Sequence, residues 1–198
     1  MKAINLIYNT CMFLGKIDLC TVLKEYFEAT KNNGSYTFYD KYKNELSDFV
    51  PIINEMTEDI ATKYFEFLTD EELVCDSDGL IKFEQFSKSP NFIKRVENEN
   101  GMLEKFMVLP YSIKVNGANK TKKVYYSFIP DKIETVYDEI MVPPIFTENA
   151  LTYLLCYHFL LHKNLYDEAK VFENKFLSLQ FGKRSYTKNR RLRKYSLL

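Results

Sequence analysis

The chain has 198 residues, 46% hydrophobic and 27% charged, with 27 basic and 27 acidic side chains. That length supports one sizeable core, or two small lobes sharing one, and the composition excludes wholesale disorder. The neutral total hides an asymmetry: residues 183–198 hold seven basic side chains and no acid, which leaves 20 basic against 27 acidic over 1–182, a body of −7 and a tail of +7.

The 16 Phe and 15 Tyr without any Trp, beside abundant Lys, Asn and Ile, fit an AT-rich genome and carry little functional weight. Cys11, Cys20, Cys75 and Cys156 form no C-x-x-C pair, so the spacing offers neither a zinc knuckle nor a redox motif. Four buried thiols in a reducing compartment are expected. Lys2 is the only basic residue ahead of a run broken by Asn5, Asn9 and Thr10, and no small-residue cleavage site follows, so Met1 to Gly15 does not read as a signal peptide. No stretch approaches the ~20 apolar residues of a membrane span. A soluble, unexported chain is expected.

Ile4, Ile7, Tyr8, Cys11 and Leu14 recur at helical spacing, and Gly15 terminates this first predicted helix. Asp18 is the expected cap of a second, with Leu19, Val22, Leu23, Tyr26 and Phe27 on its apolar stripe. The longest helical pattern runs from about Phe38 to Phe67 through Tyr42, Leu46, Phe49, Ile53, Met56, Ile60 and Tyr64. Pro51 lies inside it, so this helix either kinks or begins anew there.

The texture then changes. Asp78-Gly79, Asn100-Gly101 and Asn116-Gly117 are hairpin-type turns between short apolar or alternating runs. Candidate strands are Leu73 to Cys75, Leu80 to Phe83, Phe92 to Glu97, Leu103 to Val108, Ser112 to Val115 and Lys123 to Ile129. In the last, Val124, Tyr126 and Phe128 face one way, with Tyr125, Ser127 and Ile129 opposite. Pro130 and Pro143-Pro144 bracket an extended segment. Thr147 caps a helix to about Lys163 that is apolar nearly all round, and a last helix, Tyr166 to Phe181, buries Ala169, Phe172, Phe176 and Leu179 before Gly182.

These elements predict an α+β fold. A helical bundle, made of N-terminal helices and a C-terminal antiparallel helix pair, carries an inserted small β-rich lobe and a basic tail. The expected organisation is a helical region over 1–70, a β-rich insert over 71–130, an extended connector over 131–146, a C-terminal helical hairpin over 147–182 and the basic tail over 183–198.

Catalytic chemistry is scarce. The sequence lacks G-x-S-x-G, G-x-x-x-x-G-K-[ST] and G-x-G-x-x-G, and it holds only two histidines. His158 and His162 are four apart, yet Phe159 stands where a zincin needs Glu, and no carboxylate is near in sequence, so a structural role is favoured over metal binding. Asp76-Ser77-Asp78 superficially matches a calcium loop, but strand-like flanks make it a turn. Glu45, Glu55, Glu58 and Asp59 read as a solvated helix face. No catalytic, cofactor-binding or metal-binding residue is assigned.

The tail departs most from background. Lys183, Arg184, Lys188, Arg190, Arg191, Arg193 and Lys194 are the candidate partner-binding residues, suited to phosphate or carboxylate partners, with Tyr186 and Tyr195 able to stack. A floppy solubilising tail is the bland alternative.

The order of features resembles a known family. Ala3-Ile4-Asn5 through Leu14-Gly15-Lys16 resembles an opening adaptor helix. The later run comprises Leu68-Thr69-Asp70-Glu71-Glu72, Asp78-Gly79-Leu80-Ile81, Ile93 to Val96 with Gly101, Lys123 to Pro130, and Asp138-Glu139 with Val142-Pro143. Ala150-Leu151-x-Tyr153 and Leu165-Tyr166-Asp167-Glu168-Ala169 close it. Over about 140 residues this order is similar to the head-to-tail adaptor (connector ring) proteins of short-tailed bacteriophages, and the composition fits the crAss-like group. Leu154-Leu155-Cys156-Tyr157 replaces smaller residues of the family pattern.

The resemblance implies a structural virion protein with no enzymatic activity and no cofactor. It implies a closed homo-oligomeric ring, typically of about twelve copies, beneath the portal protein and against an adjacent tail ring or nozzle protein. DNA passes through its centre and no membrane is involved. Its place is the virion, with the host cytoplasm during assembly. The alternative from the residues alone is a nucleic-acid-binding module acting through the tail.

Overall fold

The computed structural model describes residues 1–181. It is mixed α+β with antiparallel sheets. The described residues form two compact units, one made of Met1–Thr57 together with residues 132–181, the other of Glu58–Asp131.

The first unit is helical. α1 (Ala3–Phe13) and α2 (Ile17–Lys31) are joined by a turn in which Gly15 has φ +67°, a left-handed conformation suited to glycine. Asp18 lies inside the first turn of α2 and is not its cap; Lys16 precedes the helix and no side chain caps it. An acid inside the first turn still favours the helix through the dipole.

The expected 38–67 helix is three pieces. α3 (Asp40–Ser47) stops at Asp48, α4 (Phe49–Asp59) begins anew, and a π-helical turn follows at Ile60–Tyr64. Pro51 lies in the first turn of α4, where a missing N–H leaves no helical bond unmade.

α5 (Glu148–His162) starts where the Thr147 hydroxyl accepts the Ala150 amide at 3.2 Å, and α6 (Tyr166–Phe181) follows a turn containing Asn164 at φ +58°. α5 packs on both α6 and α1. Its buried Leu151, Leu154, Leu155, Cys156 and Phe159 meet a core that includes Ile4, Ile7, Cys11, Phe49 and Ile53, with Phe159 stacked on Phe49. Full burial of each large aliphatic side chain favours the fold by about 1.5–3 kcal/mol before chain entropy is counted.

The segment 132–146 is not simply extended; it is a clasp. The amides of Ala3 and Ile4 donate to the carbonyls of Asp138 and Val136, which satisfies orphan donors of α1 that no side chain caps. The Asn54 carboxamide on α4 donates to the Ile133 carbonyl at 3.0 Å and accepts its amide at 2.9 Å.

The second unit carries two sheets. The larger has the order β1-β7-β3-β4, with β1 (Phe67–Val74), β3 (Pro90–Glu97), β4 (Leu103–Glu104) and β7 (Thr121–Phe128). The smaller has the order β2-β6-β5, with β2 (Leu80–Lys82), β5 (Met107–Val108) and β6 (Ser112–Lys114). Strand structure begins at Phe67, ahead of the expected Leu73. The expected strand Leu103 to Val108 is two strands in different sheets.

Only one of the three turns closes a hairpin. At Asn100-Gly101, β3 pairs with β4, and the Asn98 carboxamide oxygen accepts the amides of Asn100 and Met102. Asp78-Gly79 and Asn116-Gly117 instead carry the chain between sheets. These two crossings bind each other, with Val115 N–H donating to the Gly79 carbonyl and Asn119 N–H to that of Asp76. Gly79 has φ +74°, and a Cβ there would lie 2.6 Å from the Val115 carbonyl oxygen, so no other residue fits.

Candidate functional site

The seven predicted partner-binding residues, Lys183, Arg184, Lys188, Arg190, Arg191, Arg193 and Lys194, lie outside the described residues.

His158 and His162 are not brought to one site. His158 is buried in α5 beside the Tyr157 ring, whereas exposed His162 places Nε2 2.7 Å from Glu55 Oε2 of α4. That carboxylate is 107 positions away in sequence, which is why proximity in the chain does not disclose it. Among the described residues no group of three or more His, Cys, Asp or Glu side chains can hold a metal ion. The Asp76 carboxylate accepts the amides of Asp78 at 2.9 Å and Leu80 at 2.8 Å, so it shapes the turn.

One polar network in the β unit has the residue types of an active site. Glu71 of β1 accepts hydrogen bonds from the Tyr126 phenol, the Ser87 hydroxyl and the Ser87 amide. Burial pushes the Glu71 carboxyl up, but the bonds from Ser87 and Tyr126 outweigh it and hold the group below its usual value. Burial, then the bond to Glu71, pushes Tyr126 up to about 12. A carboxylate held ionised by three donors is a weak base, and both hydroxyls are already committed. The network therefore locks β1 to β7 and to the Ser87 loop.

Residues 102–111 present a different character. Met102, Leu103, Met107, Val108 and Tyr111 are all well exposed, Leu103 at 71% and Tyr111 at 85%. Singly exposed apolar residues are ordinary, but five within ten positions are a dense exposed run. β4 and β5, which carry three of the five, are the outermost strands of their sheets, so main-chain donors and acceptors accompany the apolar side chains.

The segment is held from beneath. Lys122 of β7, only 2% exposed, donates to both Glu104 carboxylate oxygens at 2.8 and 2.7 Å. Glu104 follows Leu103 in β4, so a buried ion pair fixes the strand that displays the apolar side chain. Periodicity misses this surface, because an exposed Leu-Glu or Met-Val pair looks like any short strand; the only signal is apolar density between two turns.

The opposite edge of the larger sheet is β1. Its outward face carries Leu68, Asp70, Glu72 and Val74, all exposed. Asp70 pairs with Lys123 of β7 at 3.0 Å. Further across this face the Arg95 guanidinium lies 3.9 Å from the Tyr125 ring centre, and the Tyr125 hydroxyl donates to Glu97.

No helix among the described residues is long and apolar enough to cross a membrane. Comparison of the sequence with protein-family models and with curated proteins gives no match.

Proposed function

We propose that the chain is a structural virion protein, a ring-forming adaptor between the portal and tail of a short-tailed bacteriophage. The observation that carries this reading is the row of exposed apolar side chains from Met102 to Tyr111, displayed on two outermost strands and braced by the buried Lys122–Glu104 pair. A rigid platform with an apolar, edge-exposed rim is suited to protein contact and offers little to a small substrate.

The order of elements supports the same reading, since helices, a β-rich insertion and a closing helix pair whose α5 packs on α1 follow the order expected of such an adaptor. In this proposal the helices form a bundle in the ring wall and the β unit meets the adjacent ring or nozzle. The basic tail reaches the portal or a neighbouring subunit, and DNA passes through the lumen. No catalysis or cofactor is required of such a subunit.

A charge-reversed chain tests the tail's part. Replacing Arg190, Arg191 and Arg193 together with Glu is expected to leave folding intact and block attachment to filled heads; normal attachment contradicts it.

The seven basic residues of 183–198 favour a second reading, a nucleic-acid-binding module. That module would bind DNA with a steep loss of affinity as salt rises, and deleting the tail would abolish binding.

A further inference from the structure

We infer that Asn116 is a modification site, at which the folded chain deamidates itself to aspartate or isoaspartate. The reaction needs no enzyme and no reactant beyond water.

The sequence holds three Asn-Gly pairs, at Asn33, Asn100 and Asn116, and one Asp-Gly pair at Asp78. Glycine after Asn removes the side chain that would crowd ring closure between the Asn carboxamide and the next main-chain nitrogen, so the three Asn start with similar chemistry. What separates them is the attacking nitrogen. The Gly34 amide donates to the Ala29 carbonyl at 2.9 Å and the Gly101 amide to the Asn98 carbonyl at 2.8 Å. At the Asp-Gly pair the Gly79 amide donates to the Asp76 carbonyl at 3.1 Å. Each of these must leave its acceptor before it can turn toward the preceding side chain.

The Gly117 amide has no acceptor among the described residues. Asn116 and Gly117 are both exposed, and the Asn116 carboxamide has no hydrogen bond to another described residue. Nucleophile and electrophile are therefore adjacent and both uncommitted, in a turn that water reaches.

The step balances with water alone. The Gly117 nitrogen bonds to Cγ of Asn116 as the Cγ–Nδ2 bond breaks, and the amide proton leaves with Nδ2 as ammonia. Water then opens the succinimide ring. Cleavage of the new bond gives aspartate; cleavage of the original main-chain bond gives isoaspartate, in which the chain runs through Cγ.

The Gly117 carbonyl accepts from the Cys75 thiol at 3.1 Å, and the Val115 amide donates to the Gly79 carbonyl at 2.8 Å. An isoaspartyl link adds one methylene to the main chain between these two contacts. Either product adds a negative charge to a pair of crossings that already carries Asp76 and Asp78.

Peptide mass mapping of the full wild-type chain, kept folded and warm at pH 8 and sampled over weeks, tests this against a parallel sample unfolded in guanidinium chloride. In the folded chain Asn116 should convert at least about tenfold faster than Asn33 or Asn100, whose glycine amides must first open a main-chain hydrogen bond. In the unfolded sample the held amides are released, and the three rates should draw together to within about threefold.

Equal rates in the folded chain, or faster conversion at Asn33 or Asn100, overturn the inference. So does an Asn116 that stays intact in the folded chain while it converts in the unfolded one. A preference for Asn116 that persists undiminished in guanidinium chloride assigns the selection to neighbouring sequence and overturns it too.

Discussion

Lys122 and Glu104 form a two-pronged ion pair, with the Lys122 ammonium 2.8 and 2.7 Å from the two carboxylate oxygens and the lysine almost wholly buried. The pair ties the central strand β7 to the outermost strand β4 across the sheet face that also holds Val124 and Tyr126. Removing one partner strands a charge in a poorly hydrated place. Glu104→Leu, which orphans the deeper group, should cost about 3 kcal/mol, and Lys122→Met somewhat less, as read by urea unfolding. The double replacement should cost less than the sum of the two; strict additivity would mean the side chains do not depend on each other.

The exposed apolar residues should separate stability from assembly. Leu103→Glu with Tyr111→Ser is expected to change unfolding free energy by less than about 0.5 kcal/mol, because neither side chain is buried. The same pair of changes should abolish formation of the complex with the portal or tail ring. Wild-type complex yield from a normally folded variant would remove this surface from the account.

Tyr126 carries a pH signature. Its phenol is held at about 12 against an ordinary 10, so the folded state keeps the proton longer than the unfolded chain. The resulting stability is complete below pH 10 and is lost as pH rises toward about 12. Glu71 works in the other sense: its lowered value gives stability that is present at neutral pH and lost on acidification through its folded value. Tyr126→Phe should therefore flatten the alkaline limb of the stability profile relative to wild type, and it should also shrink the acid limb, because Glu71 loses one of the hydrogen bonds that lower it. An unchanged profile in both limbs would refute the network.

Burial pushes the Cys11 and Cys156 thiols up to about 12, and Cys20 and Cys75 are also buried and free. Native protein at pH 8 should react with a thiol reagent at all four sites only after unfolding, because the thiolate is the nucleophile. Rapid labelling of Cys11 or Cys156 in native protein would contradict the packing of α1 on α5.

Asn54→Leu should cost about 1–2 kcal/mol, since it leaves the Ile133 amide and carbonyl without their partner. Limited proteolysis should then cut first within 132–146. Unaltered cleavage would mean the clasp holds without Asn54.

The helices were legible because each buries a stripe at regular spacing: Ile4, Ile7 and Cys11 in α1, and the nearly all-apolar α5. Pro51 was readable as a kink or a restart, and the choice between them needed the end of α3 at Ser47. Strand pairing was harder. Asp78-Gly79 has hairpin chemistry, yet β1 pairs with β7 and β2 with β6, because the side-chain alternation that places a strand in a sheet says nothing of which sheet.

Contacts between residues distant in the chain were hidden altogether, as Asn54 with Ile133, Glu55 with His162 and Lys122 with Glu104 all demonstrate. Each is a polar residue in an otherwise ordinary pattern, and its partner is chosen by the tertiary fold.

The adaptor reading is tested most directly by the mass distribution of the purified chain in light scattering, alone and mixed with the portal of its own phage. A ring-sized complex that appears with the portal is the predicted result. A monomer that persists with the portal and gains mass only when DNA is added would contradict it.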